Sequence, residues 1–124
     1  LPFPDASFDA AIAMCVVHHV PVPQWDLFAR EMRRVVRPGG FIAVFEHNPL
    51  NPLTRYVVAT CPIDEGVTLV RRRRLEGMLR SAGCNSVRSS YIFFTPFGQR
   101  FFRWLDRKLA WLPLGAQYFT FAER

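Results

Sequence analysis

The amino-acid sequence predicts a layered α/β fold built from four strands and four helices. Three observations support it: apolar runs bounded by turn residues, apolar residues at helical spacing between those runs, and an alternating segment near the end of the chain. The first run, Phe8–Val17, is almost continuously apolar, which predicts a strand buried on both faces. The predicted elements follow one another as β-α-β-α-α-β-α-β, an order typical of helices layered on a sheet.

Residues 8–46 are predicted to form a strand–helix–strand unit. After the first strand come apolar side chains that share one helix face: Trp25, Phe28, Met32, Val35 and Val36. Pro38-Gly39-Gly40 is expected to end this helix, because proline cannot continue it and glycine tolerates a positive φ. Phe41–Phe45 is the predicted second strand, closed by Glu46. A connection of this length implies parallel strands joined by a right-handed crossover.

Two helices are predicted in the middle of the chain. Asn51 is a favourable N-cap and Pro52 a favourable first helical residue, so a short helix is expected from there until Pro62. A second helix is expected over Arg71–Ala82, with Gly83 just beyond its end.

The last third of the chain is predicted to contain two more strands and one helix. Val87–Phe94 is rich in β-branched and aromatic residues, as strands are. Gly98–Leu112 shows a wide apolar face at helical spacing. Gln117–Ala122 alternates between apolar and polar residues, which predicts a final strand.

The charge balance is strongly basic. Sixteen basic and ten acidic residues give a net charge of +6, and fifteen of the sixteen are arginine. Arginine prefers planar partners such as phosphates and carboxylates, but the balance alone selects no partner, and no specific nucleic-acid motif is present. The longest apolar run, Ala10–Val17, is far shorter than the about 20 residues of a membrane-spanning helix. Three cysteines without a CxxC pair, and no secretory signal, lead us to expect a cytoplasmic protein.

Four segments follow one another along the chain: LPFPDASFDAAIAMCVVHHV, REMRRVVRPGGFIAVFE, RRLEGMLRSAGC and PLGAQYFTFAER. Together they resemble the class I S-adenosylmethionine-dependent methyltransferases. The first resembles the segment around the family's fourth strand, and the second resembles the next helix, its Pro-Gly-Gly turn and the fifth strand. RRLEGMLRSAGC resembles the following helix, with Cys84 where the family typically has phenylalanine. PLGAQYFTFAER resembles the final strand. These segments come in the family's order and cover nearly the whole chain.

The resemblance implies the C-terminal half of a Rossmann-like doubly wound sheet. It would contain the family's strands four to seven, with the last strand antiparallel between five and six. The family's Gly-rich cofactor loop and its ribose-binding acidic residue have no counterpart here, so residues 1–124 are expected to be a partial methyltransferase domain that lacks its N-terminal half. The isolated chain is then expected to be inactive. Phe8–Val17 is expected to be an open sheet edge that promotes association or poor solubility.

The resemblance also implies a cofactor-binding group at the carboxyl end of the first strand, since doubly wound sheets bind ligands at such ends. Met14, Cys15, Val16 and His19 would lie beside the methionine part of S-adenosylmethionine.

A second group of candidate site residues follows the second strand. Glu46, His47 and Asn48 would lie on the acceptor side, where a carboxylate beside an imidazole could orient an acceptor or remove its proton. The alternative is that these polar residues make capping and turn hydrogen bonds. No catalytic residue is assigned.

A metal site is not expected from the sequence. His18 and His19 are adjacent, so their side chains are expected to point in different directions, and no third ligand has a suitable spacing.

Two further features have two interpretations each. Arg71–Arg74 is either a solvated helix end or a contact for phosphate. A set of aromatic residues is either core or the wall of an acceptor pocket. This set comprises Tyr91, Phe93, Phe94, Phe97, Phe101, Phe102, Trp104 and Trp111.

The predicted function is that of a methyltransferase fragment. The intact enzyme would transfer a methyl group from S-adenosylmethionine to an unidentified small-molecule acceptor, with the helices of residues 51–112 on the acceptor side and the final strand over 117–122. The alternative is a non-enzymatic basic half-domain that pairs with a partner subunit or binds polyanions, with binding that weakens steeply as salt increases.

Overall fold

The computed structural model describes residues 1–95 and 100–124 and contains one four-stranded sheet. Its strands are β1 (Phe8–Met14), β2 (Val36–His47), β3 (Asn85–Ile92) and β4 (Gln117–Glu123). The strand order is β1-β2-β4-β3; β1 is parallel to β2, and β4 runs antiparallel to both β2 and β3. The predicted α/β class and the antiparallel insertion of the last strand are therefore confirmed.

Within the described residues, four α-helices accompany the sheet. They are α1 (Trp25–Val35), α2 (Pro52–Thr60), α3 (Arg72–Ser81) and α4 (Arg100–Leu109). Three short 3-10 turns lie between these elements, at Val17–His19, Val22–Gln24 and Pro62–Asp64. Each described helix lies within a segment for which the sequence predicts one. Gly98 and Gln99, the predicted start of the fourth helix, lie outside the described residues.

The core lies on one face of the sheet, where α1 and α3 pack against the strands and against each other. Ile42 and Val44 of β2 and Tyr118 of β4 are completely buried there. On the other face the strands carry stacked aromatic pairs, of which Phe45 and Phe119 have ring centroids 5.7 Å apart. Alternation between a buried and a half-exposed face is the pattern that predicted β4.

The first strand differs from its prediction in length and in burial. It ends at Met14, because the next residues turn into the 3-10 segment Val17–His19. Among its residues Ala13 is buried, whereas Ile12 is 60% exposed and Met14 66% exposed. The interpretation of a strand buried on both faces is wrong for this chain, since β1 is an edge strand in the described structure and pairs with β2 only. The open edge that the resemblance implies is present.

The second strand begins earlier than predicted. α1 ends at Val35, and Pro38-Gly39-Gly40 lies within β2 rather than at the end of the helix. The pairing register shifts here, from Phe8 opposite Val36 to Ala10 opposite Phe41. Two glycines suit this irregular stretch: Gly39 has a φ of +78°, and a Cβ on Gly40 would collide with the carbonyl oxygen of Asp9.

The predicted aromatic set does not form one core. Tyr91 is buried, but Phe93, Phe101, Trp104 and Trp111 are each about half exposed or more. Phe97 lies outside the described residues. β3 ends at Ile92 instead of Phe94 because Phe93 takes a positive φ of 58°, which leaves the extended conformation. In the part of the chain that the structure describes, no helix is long and apolar enough to cross a membrane.

Candidate functional site

The carboxyl ends of β1 and β2 lie side by side, since Met14 pairs with Phe45 in parallel register. Ligands in doubly wound sheets bind outside such strand ends. Both predicted groups of site residues fall here, so the topology brings together residues that are about 30 positions apart in the chain.

Glu46 joins the two strand ends. Its side chain is completely buried, and Oε1 accepts hydrogen bonds from the backbone N–H groups of Val16 (3.0 Å) and Val17 (2.6 Å). Oε2 lies 2.6 Å from Nδ1 of His18. A buried carboxylate requires partners of this kind, because an unpaired one carries a large desolvation penalty. Glu46 therefore holds the turn after β1 in place, and both of its carboxylate oxygens are used in these contacts.

The side chain of Asn48 is also buried and fully hydrogen-bonded. Its Nδ2 donates to the carbonyl oxygens of Gly115 (2.8 Å) and Pro113 (3.1 Å), and its Oδ1 accepts from the N–H of Leu50 (3.0 Å). These bonds hold the end of β2 against the loop that precedes β4. Turn and capping hydrogen bonds, the alternative for this residue, account for its side chain.

His47 lies between these two buried residues and is itself half-buried. Its ring centroid is 5.1 Å from that of His18. Burial, and secondarily the neighbouring His18, lower the pKa of the His47 imidazole below its usual range. The neutral form of His47 is therefore favoured.

The predicted cofactor-side residues form the exposed rim of the first strand end. Met14 and Val16 are exposed, and His19 is 41% exposed at its side chain. Cys15 has a φ of +54°, so the chain turns sharply at the end of β1. Burial, followed by the charges of Glu46 and Asp64, raises the pKa of the Cys15 thiol, which keeps it protonated.

The structure brings Asp64 to the two adjacent histidines. Asp64 Oδ1 lies 3.5 Å from His18 Nε2 and 3.4 Å from His19 Nε2, and the two rings are 4.3 Å apart. The expectation that the two side chains point in different directions is wrong here, because the 3-10 turn places both Nε2 atoms beside one carboxylate. Asp64 lies 45 positions from His19 in another turn, so spacing could not identify it.

The arginine run makes contacts within the chain. Arg74 Nη2 donates to both carboxylate oxygens of Asp26 at 3.1 Å, and Arg72 lies over the ring of Tyr91, 5.1 Å from its centroid. Arg72 also pairs with Glu76 at 3.4 Å. Because Arg72 and Arg74 already have partners within the chain, these contacts favour the interpretation of a helix end over that of a phosphate-binding site.

Residues 1–44 match a protein-family model described as a methyltransferase domain. Curated relatives match over parts of their length. The chain is 48% identical over 44 residues to a 27-O-demethylrifamycin SV methyltransferase of Amycolatopsis mediterranei, covering 36% of this chain and 15% of that protein. It is 29% identical over 90 residues to a probable phthiotriol/phenolphthiotriol dimycocerosates methyltransferase of Mycobacterium ulcerans, covering 72% and 33%. The chain thus spans a third or less of these relatives.

Solved structures share the fold over almost the whole chain. A SAM-dependent methyltransferase from Archaeoglobus fulgidus superposes with a TM-score of 0.74 at 14% identity, covering 98% of this chain and 62% of that one. A possible histamine N-methyltransferase from Thermotoga maritima gives a TM-score of 0.75 at 17% identity, covering 99% and 59%. Residues 1–44 are thus similar to a methyltransferase domain, and the described sheet has the fold of these solved methyltransferases.

Proposed function

We propose that the protein transfers a methyl group from S-adenosylmethionine to a small-molecule acceptor. The observation that supports this most directly is the sheet order β1-β2-β4-β3 with β4 reversed, in a chain whose residues 1–44 match a methyltransferase domain. Residues 1–124 would be a partial domain, with the strand–helix–strand unit 8–46 followed by the acceptor-side helices. The N-terminal half of the same domain would complete the cofactor pocket.

Met14, Cys15, Val16 and His19 would form the methionine side of that pocket. The shape of the strand end supports this assignment. The chain turns sharply at Cys15, and Met14 and Val16 are exposed beside it, where they can contact a ligand. When bound, S-adenosylmethionine would supply an electrophilic methyl group, which is transferred to the acceptor in line as its bond to sulfur breaks and S-adenosylhomocysteine is left.

Glu46 would act as a positioning residue, because its oxygens are bonded to Val16, Val17 and His18 and it has no exposed surface. His47, half-exposed at the end of β2, would contact the acceptor. Asn48 would hold that strand end in place. The chain's part in the reaction is then mainly to hold the acceptor close to the methyl group, a contribution that orientation alone can make large.

The cysteines bear on where the enzyme works. Cys15, Cys61 and Cys84 are all free thiols in the structure. Unpaired thiols, one of them buried, suit a reducing compartment, so we place the enzyme in the cytoplasm.

The test uses the protein expressed from its complete reading frame. Calorimetry should show saturable binding of S-adenosylhomocysteine, and labelled S-adenosylmethionine should transfer its methyl group to a member of a panel of hydroxylated polyketides, fatty acids and phenolic lipids. Residues 1–124 alone should bind the cofactor far more weakly. Failure of the complete protein to bind S-adenosylhomocysteine would refute the proposal.

A substitution at His47 tests the acceptor assignment separately. His47→Ala should raise the KM for the acceptor and leave S-adenosylhomocysteine binding unchanged. A loss of cofactor binding equal to the loss of acceptor binding would argue against this role.

A further inference from the structure

We propose that His18, His19 and Asp64 form a binding site for a divalent transition metal ion of the Zn²⁺ class. Each residue offers one ligand atom, and these three atoms all lie within 4.8 Å of one another. Asp64 Oδ1 faces Nε2 of both histidines. Two imidazoles and one carboxylate are a donor set that zinc sites use, with a fourth position left open. The proposal concerns metal binding and does not rest on the proposed methyl transfer.

The distances suit shared coordination better than direct hydrogen bonding. At 3.4 and 3.5 Å, the contacts of Asp64 Oδ1 with the two Nε2 atoms are longer than a good hydrogen bond. They match the ~3.3–3.4 Å that separates two ligand atoms around a tetrahedral zinc with bonds of about 2.0–2.1 Å. His19 is 41% exposed at its side chain, so a small rotation can bring its Nε2 closer to that of His18.

The partners of the two His18 ring nitrogens leave Nε2 available as a metal ligand. His18 Nδ1 lies 2.6 Å from a carboxylate oxygen of Glu46, so in the neutral imidazole, which is the form that binds a metal, the proton lies on Nδ1. His18 Nε2 then presents a lone pair toward Asp64, whose carboxylate also only accepts. Two acceptors at this distance, with His18 98% buried, are stabilised when a cation lies between them.

The surroundings of His18 are those of a metal ligand with an outer partner. Histidines that bind metals typically give their second ring N–H to a carboxylate, which fixes the tautomer and the ring orientation. Glu46 is the carboxylate partner of His18 Nδ1. The Glu46 side chain is itself fixed, because its other oxygen accepts hydrogen bonds from the N–H groups of Val16 and Val17. His18 is thus preorganised with Nε2 toward Asp64.

The open side of the cluster meets a cavity of about 350 Å³. His18 and His19 line it together with Glu65 and Thr68. A water molecule or another small oxygen or nitrogen ligand could enter from there and complete four-coordination.

The experiment measures metal binding by the protein from its complete reading frame, without cofactor or acceptor. Competition with a chromophoric zinc chelator should show one Zn²⁺ per chain. Co²⁺ should bind at the same site and give the visible absorption of a four-coordinate ion. His19→Ala and Asp64→Asn should each lower the zinc affinity by at least about tenfold. Loss of an outer partner of a ligand already lowers metal affinity by about 10–100-fold, and loss of a ligand itself should lower it at least as much.

Two variants serve as matched controls. His47→Gln removes the third imidazole, and Glu65→Gln removes the carboxylate next in sequence to Asp64. Both should keep the parent zinc affinity, and all variants should keep the parent far-UV circular dichroism. The proposal is overturned if no saturable zinc binding is found, if His19→Ala binds as tightly as the parent, or if the controls lose as much affinity as the ligand variants. Because this experiment measures no methyl transfer, a lack of zinc binding would not contradict the proposed methyltransferase activity. A lack of that activity would likewise not contradict the zinc site.

Discussion

Glu46 Oε2 and His18 Nδ1 lie 2.6 Å apart between side chains that are almost fully buried. This contact joins the loop after β1 to the end of β2, and it sets the direction in which the His18 ring faces. The candidate cofactor rim, the histidine cluster and the candidate acceptor residues all lie around this pair.

Removing the Glu46 carboxylate should destabilise the fold strongly. Glu46→Ala leaves the N–H groups of Val16 and Val17 and the His18 ring without their partner, so we expect a loss of about 3–5 kcal/mol in the free energy of unfolding. Glu46→Gln keeps one carbonyl oxygen for the two N–H groups and should cost about 1–3 kcal/mol. Denaturant titration measures both, with the exposed Glu65→Gln as control. Equal stability of Glu46→Ala and the control would contradict the role we assign to this carboxylate.

Tyr118 should make the protein sensitive to alkali. Its hydroxyl is buried and donates to the carbonyl oxygen of Val70 at 2.8 Å; burial, followed by the charge of Glu46, raises the pKa of Tyr118 far above its usual value. Below about pH 10 both the folded and the unfolded chain keep this proton. Above about pH 10 the unfolded chain loses this proton while the folded chain keeps it. The contribution of Tyr118 to the free energy of unfolding should therefore fall by about 1.4 kcal/mol per pH unit.

The comparison for that prediction is Tyr118→Phe. It removes the titrating group and leaves the Val70 carbonyl without its donor, so the variant should be less stable at pH 7 by about 1–3 kcal/mol. Its stability should decline less steeply than that of the parent protein between pH 10 and 11, as measured by denaturant titration at each pH. Parallel curves would show that Tyr118 is not the source of the alkaline slope.

Asn51 caps α2, and its loss should weaken that helix. Its side-chain oxygen accepts from the N–H of Thr54 at 3.0 Å, and its Nδ2 donates to the carbonyl oxygen of Leu114 at 2.6 Å. Asn51→Ala should lower the free energy of unfolding by about 0.5–2 kcal/mol, while Asn51→Asp keeps the capping acceptor and should restore part of it. Thermal unfolding of both variants distinguishes the cap from the contact with Leu114.

The exposed edge strand β1 should drive association of residues 1–124. An apolar strand without a second neighbour offers unpaired backbone groups and side chains such as Ile12 to another chain. We expect light scattering to show dimers or larger species. Ile12→Lys, which adds a charge at the edge, should shift them toward monomer. A monodisperse monomer of the parent chain at high concentration would contradict this expectation.

Local patterns were sufficient to locate the helices but not all of their ends. Apolar spacing predicts α1 and α4, and capping chemistry predicts the start of α2 at Asn51-Pro52. Pro38-Gly39-Gly40 was misassigned to the end of the helix because the same residues also suit an irregular strand. Pairing with β1, a contact distant in sequence, decides between the two.

Burial was the less predictable property. Phe8–Val17 and the aromatic residues of α4 have the composition of a core, yet β1 lies at a sheet edge and no described side chain of α4 is buried. Composition reports which residues can be buried. Whether they are depends on which other elements cover them.

The sequence by itself determined the class of fold and the family resemblance, because hydrophobic periodicity and short motifs are properties of neighbouring residues. It also located the residues at both strand ends, since the turn signals lie next to them. Only the tertiary structure decided what those residues do. The parallel pairing of β1 with β2 turned Glu46 inward toward Val16, Val17 and His18, and the turn at Pro62–Asp64 carried Asp64 to the two histidines. Contacts between residues far apart in the chain form only when the whole sheet and its loops come together, so no spacing in the sequence records them.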